Sequence, residues 1–228
     1  MRYHIQTAPV WDAYKSGCGC PMCRLYGSTV ARLIDQYLNE AVMEPAYRVR
    51  VNEAGFCAGH LRLLYGGANK LGLALQLSTR TDAILKKLSP VADGKAAKKE
   101  AQKVARLNST CVICDTADEI MTRYAYTAAQ MYEHENDFPS AFAACDGFCM
   151  PHYALMLTNA DRAGKAAKTY VAALYRLQTE SLKKINRDTR RFCEMFDYAG
   201  QNKGMKDAEK IVPAAINKLK GEIIPGNR

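Results

Sequence analysis

Gly55-Phe56-Cys57-Ala58-Gly59-His60 returns 92 residues later as Gly147-Phe148-Cys149-Met150-Pro151-His152, and this recurrence decides how the chain is read. Ahead of each copy stands a second cysteine pair, Cys20-Pro21-Met22-Cys23 before the first and Cys111-Val112-Ile113-Cys114 before the second. Each CxxC and CxxH set offers three thiolates and one imidazole, the donors that a soft tetrahedral cation such as zinc takes. The gap from Cys23 to Cys57 and that from Cys114 to Cys149 differ by one residue. In a chain with 9 Cys and 4 His, chance could place one such set, but it would rarely repeat order, ligand type and spacing together. The expectation is two Cys3His metal sites, one per half: Cys20, Cys23, Cys57 and His60, then Cys111, Cys114, Cys149 and His152; pairing the CxxC of one half with the CxxH of the other is the alternative, and it keeps the same eight ligands.

Working outward, the match around the CxxH pairs continues through Asn69 with Asp161, Lys70 with Arg162, Gly72 with Gly164 and Ala74 with Ala166. Such an internal repeat predicts two similar folding units. The segments between ligands carry apolar residues at helical spacing. Val30, Leu33, Ile34, Tyr37, Leu38, Ala41 and Val42 form one stripe, stopped at Glu44-Pro45. Ile120, Met121, Tyr124, Ala125, Ala128 and Met131 form another, broken near Asp137-Phe138-Pro139. No strand alternation is present. The fold class expected is all-α, a duplicated helical repeat with each half organised around a Cys3His site. A long C-terminal helix from about Lys165, with Tyr170, Leu174, Leu177, Leu182, Ile185, Phe192 and Phe196 on its stripe, is expected to pack the halves together. The domain boundaries follow: 1–85 for the first repeat, 86–110 for a basic linker turning helical, 111–198 for the second repeat, and 199–228 for a tail helix.

Either repeat alone could bury only a small core, and small domains often rely on a metal for stability. The opening MRYHIQTAPVWDAYKSG lacks an apolar run long enough for a signal peptide, and no later stretch approaches a membrane span. A cytoplasmic location and no membrane partner are expected. In a reducing compartment the cysteines read as ligands rather than disulfides. The formal net charge of +9 leaves nucleic acid open as a partner without specifying it. The basic residues cluster at Lys86, Lys87, Lys95, Lys98, Lys99, Lys103 and Arg106, and again at Lys183, Lys184, Arg187, Arg190 and Arg191.

The paired CPxC and GFCxxH motifs, the Met43-Glu44-Pro45 stop, the Leu71-Gly72-Leu73-Ala74-Leu75 stretch and the late Phe196-Asp197-Tyr198 give a resemblance. The chain resembles an uncharacterised bacterial family, of Firmicutes type, described as a domain of unknown function with metal-binding cysteines. The resemblance supports the ligand assignment and implies no reaction. One departure is the missing proline in Cys111-Val112-Ile113-Cys114, which removes no ligand.

Four protein ligands per site leave no coordination position for a reacting water, which argues against a hydrolytic metal. GxSxG, HExxH, P-loop and dinucleotide-binding patterns are absent. No catalytic residue is assigned. Zinc, two per chain, is the expected cofactor, with iron–sulfur clusters the alternative. Two further thiols stand near the motifs, Cys18 and Cys145, as auxiliary groups for ligand exchange or redox sensing or as ordinary partly buried thiols. Cys193, between Phe192 and Phe196, is expected in the core, and His4 and His134 on the surface. The function expected is a non-catalytic zinc-binding interaction or regulatory module with a protein partner. An iron–sulfur electron-transfer protein and a nucleic-acid-binding regulator are the alternatives.

Overall fold

Proline placement sets the first boundaries. In the computed structural model, which describes residues 7–17, 19–194 and 205–222, α1 (Thr7–Lys15) is followed by α2 (Pro21–Leu38), α3 (Glu40–Met43) and α4 (Pro45–Ala54). Pro45 sits in the first turn of α4, where its missing N–H costs nothing. Glu44-Pro45 therefore both ends the preceding run and opens a new helix. The next helices start on side-chain caps. Asn69 accepts the Gly72 N–H at the head of α6 (Lys70–Leu85), after α5 (Ala58–Gly66). Asp93 does the same for Ala96 at the head of α7 (Gly94–Leu107). Then come α8 (Val112–His134), α9 (Phe138–Ala144) and α10 (Met150–Thr158), a 3-10 turn over Ala160–Ala166, α11 (Ala167–Glu194) and α12 (Met205–Lys220). Among the described residues there is no strand, and no helix is long and apolar enough to cross a membrane.

The chain forms two compact units, and they do not follow the sequence halves. Among the described residues, one unit takes those from Thr7 to Gly27 together with those from Ile120 to Glu222; the other runs from Ser28 to Glu119. The boundaries fall inside α2 and α8 rather than in the basic segment 86–110. The stretch expected as a separate tail, 199–228, contributes α12 to the first unit, where it packs on α11 and α10. The long helix α11 packs there against α12 and the 3-10 turn. Residues 199–204 and Phe196-Asp197-Tyr198 lie outside the described residues.

In the first unit the core is aromatic. Tyr14 of α1 meets Phe138 at 5.0 Å and Phe142 at 5.9 Å between ring centroids, and Phe142 meets Tyr170 of α11 at 5.3 Å. Phe138, Phe142 and Phe148 are fully buried, each contributing on the order of 2–3 kcal/mol by removal of its ring from water. Trp11 closes the rim by donating its indole N–H to Glu135 at 2.7 Å.

The second unit centres on buried Tyr37, whose ring meets the edges of Tyr47 and Phe56, each at 5.6 Å. The last carbonyls of α2 have no partner within their own helix. Side chains of α6 and its cap supply them: Gln76 donates to Tyr37 O and Asn69 to Leu38 O.

Candidate metal centres

The four CxxC and CxxH cysteines that lead their motifs each directly precede a helix. Cys20 stands before α2, Cys57 before α5, Cys111 before α8 and Cys149 before α10. The open N–H groups and positive dipole end of a helix start favour a thiolate there. Three residues on, the second member of each pair lies one turn into its helix on the same face, so Cys23, His60, Cys114 and His152 point with their partners. A glycine makes the approach in both GFC segments. Gly55 and Gly147 have φ of +67° and +78°, the left-handed region in which a side chain is strained.

The structure gathers the eight predicted residues into two groups, but crosses the halves. In the first unit Cys20 and Cys23 meet Cys149 and His152; in the second, Cys57 and His60 meet Cys111 and Cys114. Within each group every pair of ligand atoms lies within 4.8 Å. The within-half sets, Cys20, Cys23, Cys57 and His60 and then Cys111, Cys114, Cys149 and His152, give way to the crossed pairing that was the alternative, with the eight residues unchanged.

Helix length gives the reason. The 18 residues of α2 carry the chain about 27 Å away from its CxxC. After the short α3, the 10-residue α4 spans only about 15 Å, less than the length of α2. The 23 residues of α8 likewise span about 35 Å, against about 10 Å for the 7 of α9. Each CxxH therefore finds the other half's CxxC.

The first centre is the more enclosed. Cys20, Cys23 and Cys149 are buried and His152 half-buried. His152 Nδ1 lies 3.1 Å from Cys149 Sγ, 3.4 Å from Cys23 Sγ and 3.7 Å from Cys20 Sγ, and the Cys23 and Cys149 sulfurs are 3.6 Å apart. The backbone N–H of Glu222, just past α12, reaches Cys23 Sγ at 3.5 Å. A cavity of about 400 Å³ within this unit is bordered by Cys20, Cys149, Ser181, Ile185 and Lys218.

In the second centre His60 and Cys111 are buried and Cys57 and Cys114 half-buried. His60 Nδ1 lies 3.3 Å from Cys57 Sγ, 3.3 Å from Cys111 Sγ and 3.4 Å from Cys114 Sγ, and the Cys57 and Cys114 sulfurs are 3.9 Å apart. Cys57 also caps α5, its sulfur accepting the His60 backbone N–H at 3.5 Å. Val112 N–H donates to Gly55 O at 3.0 Å and joins the two ligand segments directly.

The electrostatics fit a cation. Hydrogen bonds from Cys149 and then Cys23 hold Cys20 far below the ordinary thiol range, and Cys114 in the same way holds Cys111 down to about 3. The same contacts push Cys23 and Cys114 far up. Burial works against a charged His152, yet the Cys149 and Cys20 sulfurs hold it up, at about 9. Sulfurs packed this closely cannot all ionise on their own. A metal ion among them would resolve the conflict, because it would take every sulfur as thiolate and the imidazole as neutral. The residues present can hold one metal ion per group.

The remaining predicted groups fall elsewhere. Cys18 lies outside the described residues, as does His4. Cys145 is buried in the first unit but is not one of the gathered ligands, and burial pushes its thiol up to about 11. Cys193, expected in the core, is exposed, because the last turns of α11 present it to solvent. His134 is exposed beside Glu133 at 3.3 Å.

Sequence reasoning missed two buried cations. Arg80 and Lys218 are each 8% exposed, and both stand on the inward stripes of their helices, Leu73-Gln76-Arg80, which is buried, and Ile211-Ala215-Lys218, which is half-buried up to Lys218. A polar residue in register with an apolar stripe is the signal that could have found them.

No curated protein and no solved structure matches the chain. A family model does match, across residues 1–225, and the chain belongs to that family, described as a family of unknown function, DUF6062.

Proposed function

We propose that this chain is a non-catalytic protein holding two zinc ions in closed Cys3His centres and acting in the cytoplasm as an interaction or regulatory module for a protein partner. The spacing of the ligand atoms carries the reading. A zinc tetrahedron with Zn–S of about 2.3 Å and Zn–N of about 2.0–2.1 Å has S···S edges of about 3.8 Å and S···N edges of about 3.5 Å. The Cys23–Cys149 and Cys57–Cys114 sulfurs are 3.6 and 3.9 Å apart, every ligand pair lies within 4.8 Å, and the N···S separations run from 3.1 to 3.7 Å. Ligands on different irons of a cluster are separated by an iron–iron vector as well as two Fe–S bonds, so a cluster needs more room. One mononuclear ion per group is favoured over the iron–sulfur alternative. Four protein donors per ion leave no open position for water, which favours a structural role over catalysis.

The partner reading is supported by the second unit's surface. Leu71, Leu85 and Val91 are more than half exposed, and Leu75, Leu88 and Val104 more than a third. Apolar residues left in water in such number suit docking to another protein. A nucleic-acid reading has one observation in its favour, the exposure of Lys183, Lys184, Arg187, Arg190 and Arg191 along α11. Under that reading, binding to a mixed-sequence duplex would weaken steeply with salt and with Lys183→Glu, Lys184→Glu and Arg187→Glu.

Elemental analysis of protein purified without oxygen or chelator tests the zinc assignment. Two zinc per chain and a colourless solution are expected. Iron with sulfide in a brown solution, or fewer than two metal ions, would overturn it.

A further inference from the structure

Each centre, loaded as proposed above, carries a net negative charge: three thiolates and a neutral imidazole around a dication leave −1. Burying that charge is costly without a counter-charge. The structure holds one buried cation against the ligand-bearing segments of each centre, and at the first centre that cation, Lys218, also feels the Cys20 and Cys149 sulfurs.

At the second centre it is Arg80 of α6. Its guanidinium donates to Asn52 O at 2.6 Å and Glu53 O at 3.2 Å on one side, and to Leu107 O at 2.6 Å on the other. Glu53 stands four residues before Cys57 and Leu107 four before Cys111. One side chain therefore ties the segment leading to the CxxH to the segment leading to the CxxC. The guanidinium lies against Gly55, where a Cβ would come 3.0 Å from Arg80 Nε. The motif glycine makes room for the cation.

At the first centre the cation is Lys218 of α12. Its ammonium donates to Asp146 O at 2.7 Å and reaches Gly19 O at 3.5 Å. Asp146 stands three residues before Cys149 and Gly19 directly before Cys20, so Lys218 again bridges the two ligand-bearing segments. Among the described residues neither cation has a carboxylate within ion-pair distance, although the Asp146 carboxylate acts on Lys218 alongside the Cys20 and Cys149 sulfurs. An unpaired buried Lys or Arg is rare. The carbonyls at Arg80 belong to the last turns of α4 and α7 and meet part of its charge; the anionic metal centre supplies what carbonyls do not.

We propose that Arg80 and Lys218 are positioning residues of the two metal centres, each serving as counter-cation to one buried zinc–thiolate group and clamping its two ligand segments. The proposal rests on the zinc reading. Removing the charge should weaken one zinc site and leave the other alone, within the 10–100-fold range typical of groups that support metal ligands from outside.

The test is competition between the full-length protein and a colorimetric zinc chelator, resolved into two equivalents. It uses Arg80→Gln and Lys218→Gln, which keep a hydrogen-bond donor and remove the charge, and Arg80→Lys and Lys218→Arg, which keep the charge. Each Gln variant should lose 10–100-fold affinity for one equivalent, the two together for both, while Lys218→Arg stays within about threefold of wild type and Arg80→Lys, which keeps the charge but not the fork, loses clearly less than Arg80→Gln. Helical signal at saturating zinc reports folding, and Lys218→Gln is an independent arm should Arg80→Gln fail to fold. Unchanged affinity in the Gln variants, or equal losses in the charge-conserving ones, would overturn the proposal. Wild-type protein that takes up no zinc would instead overturn the zinc reading, before any variant is compared.

Discussion

Replacing Cys149 by serine should remove one metal ion and unfold the first unit while sparing the second. Cys23 and Cys149, brought to 3.6 Å, stand 126 residues apart in the chain. A cross-link closing a loop of that length removes about 5 kcal/mol of unfolded-state entropy by the chain-closure relation used for disulfides. The corresponding link at the second centre joins Cys57 and Cys114, 57 apart, and is worth about 4 kcal/mol by the same relation. These are large fractions of the roughly 5–15 kcal/mol that holds a domain folded. Direct ligand binding adds more, on the order of 10 kcal/mol for a structural zinc. Thermal unfolding followed by circular dichroism, with zinc content measured on the same samples, should show an early transition in Cys149→Ser, lowered by at least about 10–20 °C, and a second transition near its wild-type position. Loss of one zinc with the melting curve unchanged would refute the reasoning, and the ions would then be additions to a self-sufficient helical core.

Three further outcomes are expected. Gly147→Ala forces a side chain into φ of +78° with its Cβ 3.0 Å from the Ser181 Cβ; it should cost about 1–2 kcal/mol or more in urea unfolding while both zinc ions remain, and a neutral result would contradict the conformation assigned to the GFC turn. Cys145 has a folded-state thiol pKa of about 11 against an ordinary 9.0. A raised acid pKa stabilises the fold fully below pH 9 and is lost as pH rises through 11, so wild type should lose up to about 2–3 kcal/mol across that window. Cys145→Ala should flatten that part of the stability profile, and parallel profiles for the two proteins would contradict it. Because its thiol stays protonated at neutral pH, Cys145→Ser should also release zinc to mild peroxide at the wild-type rate; slower release would restore it as a redox auxiliary.

What the sequence makes legible depends on the range of the interaction. Helices with a stripe and a stop, such as α8 through Met131 and the break before Phe138-Pro139, are local and were readable from periodicity and proline. The identity of the ligands was readable too, because CxxC and CxxH place two donors on one helical turn without reference to the rest of the chain. Which CxxC meets which CxxH was not readable. Repetition suggests pairing within a half, whereas the outcome turns on the reach of α2 and α8 set against the shortness of α4 and α9. Cys193 shows the same limit in small: flanking phenylalanines suggest burial, but the outer turns of α11 expose it. Arg80 and Lys218 are cations in apolar register, and only the carbonyls they meet reveal their role.

Zinc stoichiometry in two double variants tests the crossed pairing most directly. Cys23→Ser with Cys149→Ser alters one centre in the structure, and Cys23→Ser with Cys57→Ser alters both. The account predicts one zinc per chain in the first variant and none bound tightly in the second. One zinc in the Cys23, Cys57 variant and none in the Cys23, Cys149 variant would mean that each half builds its own site, and would contradict it.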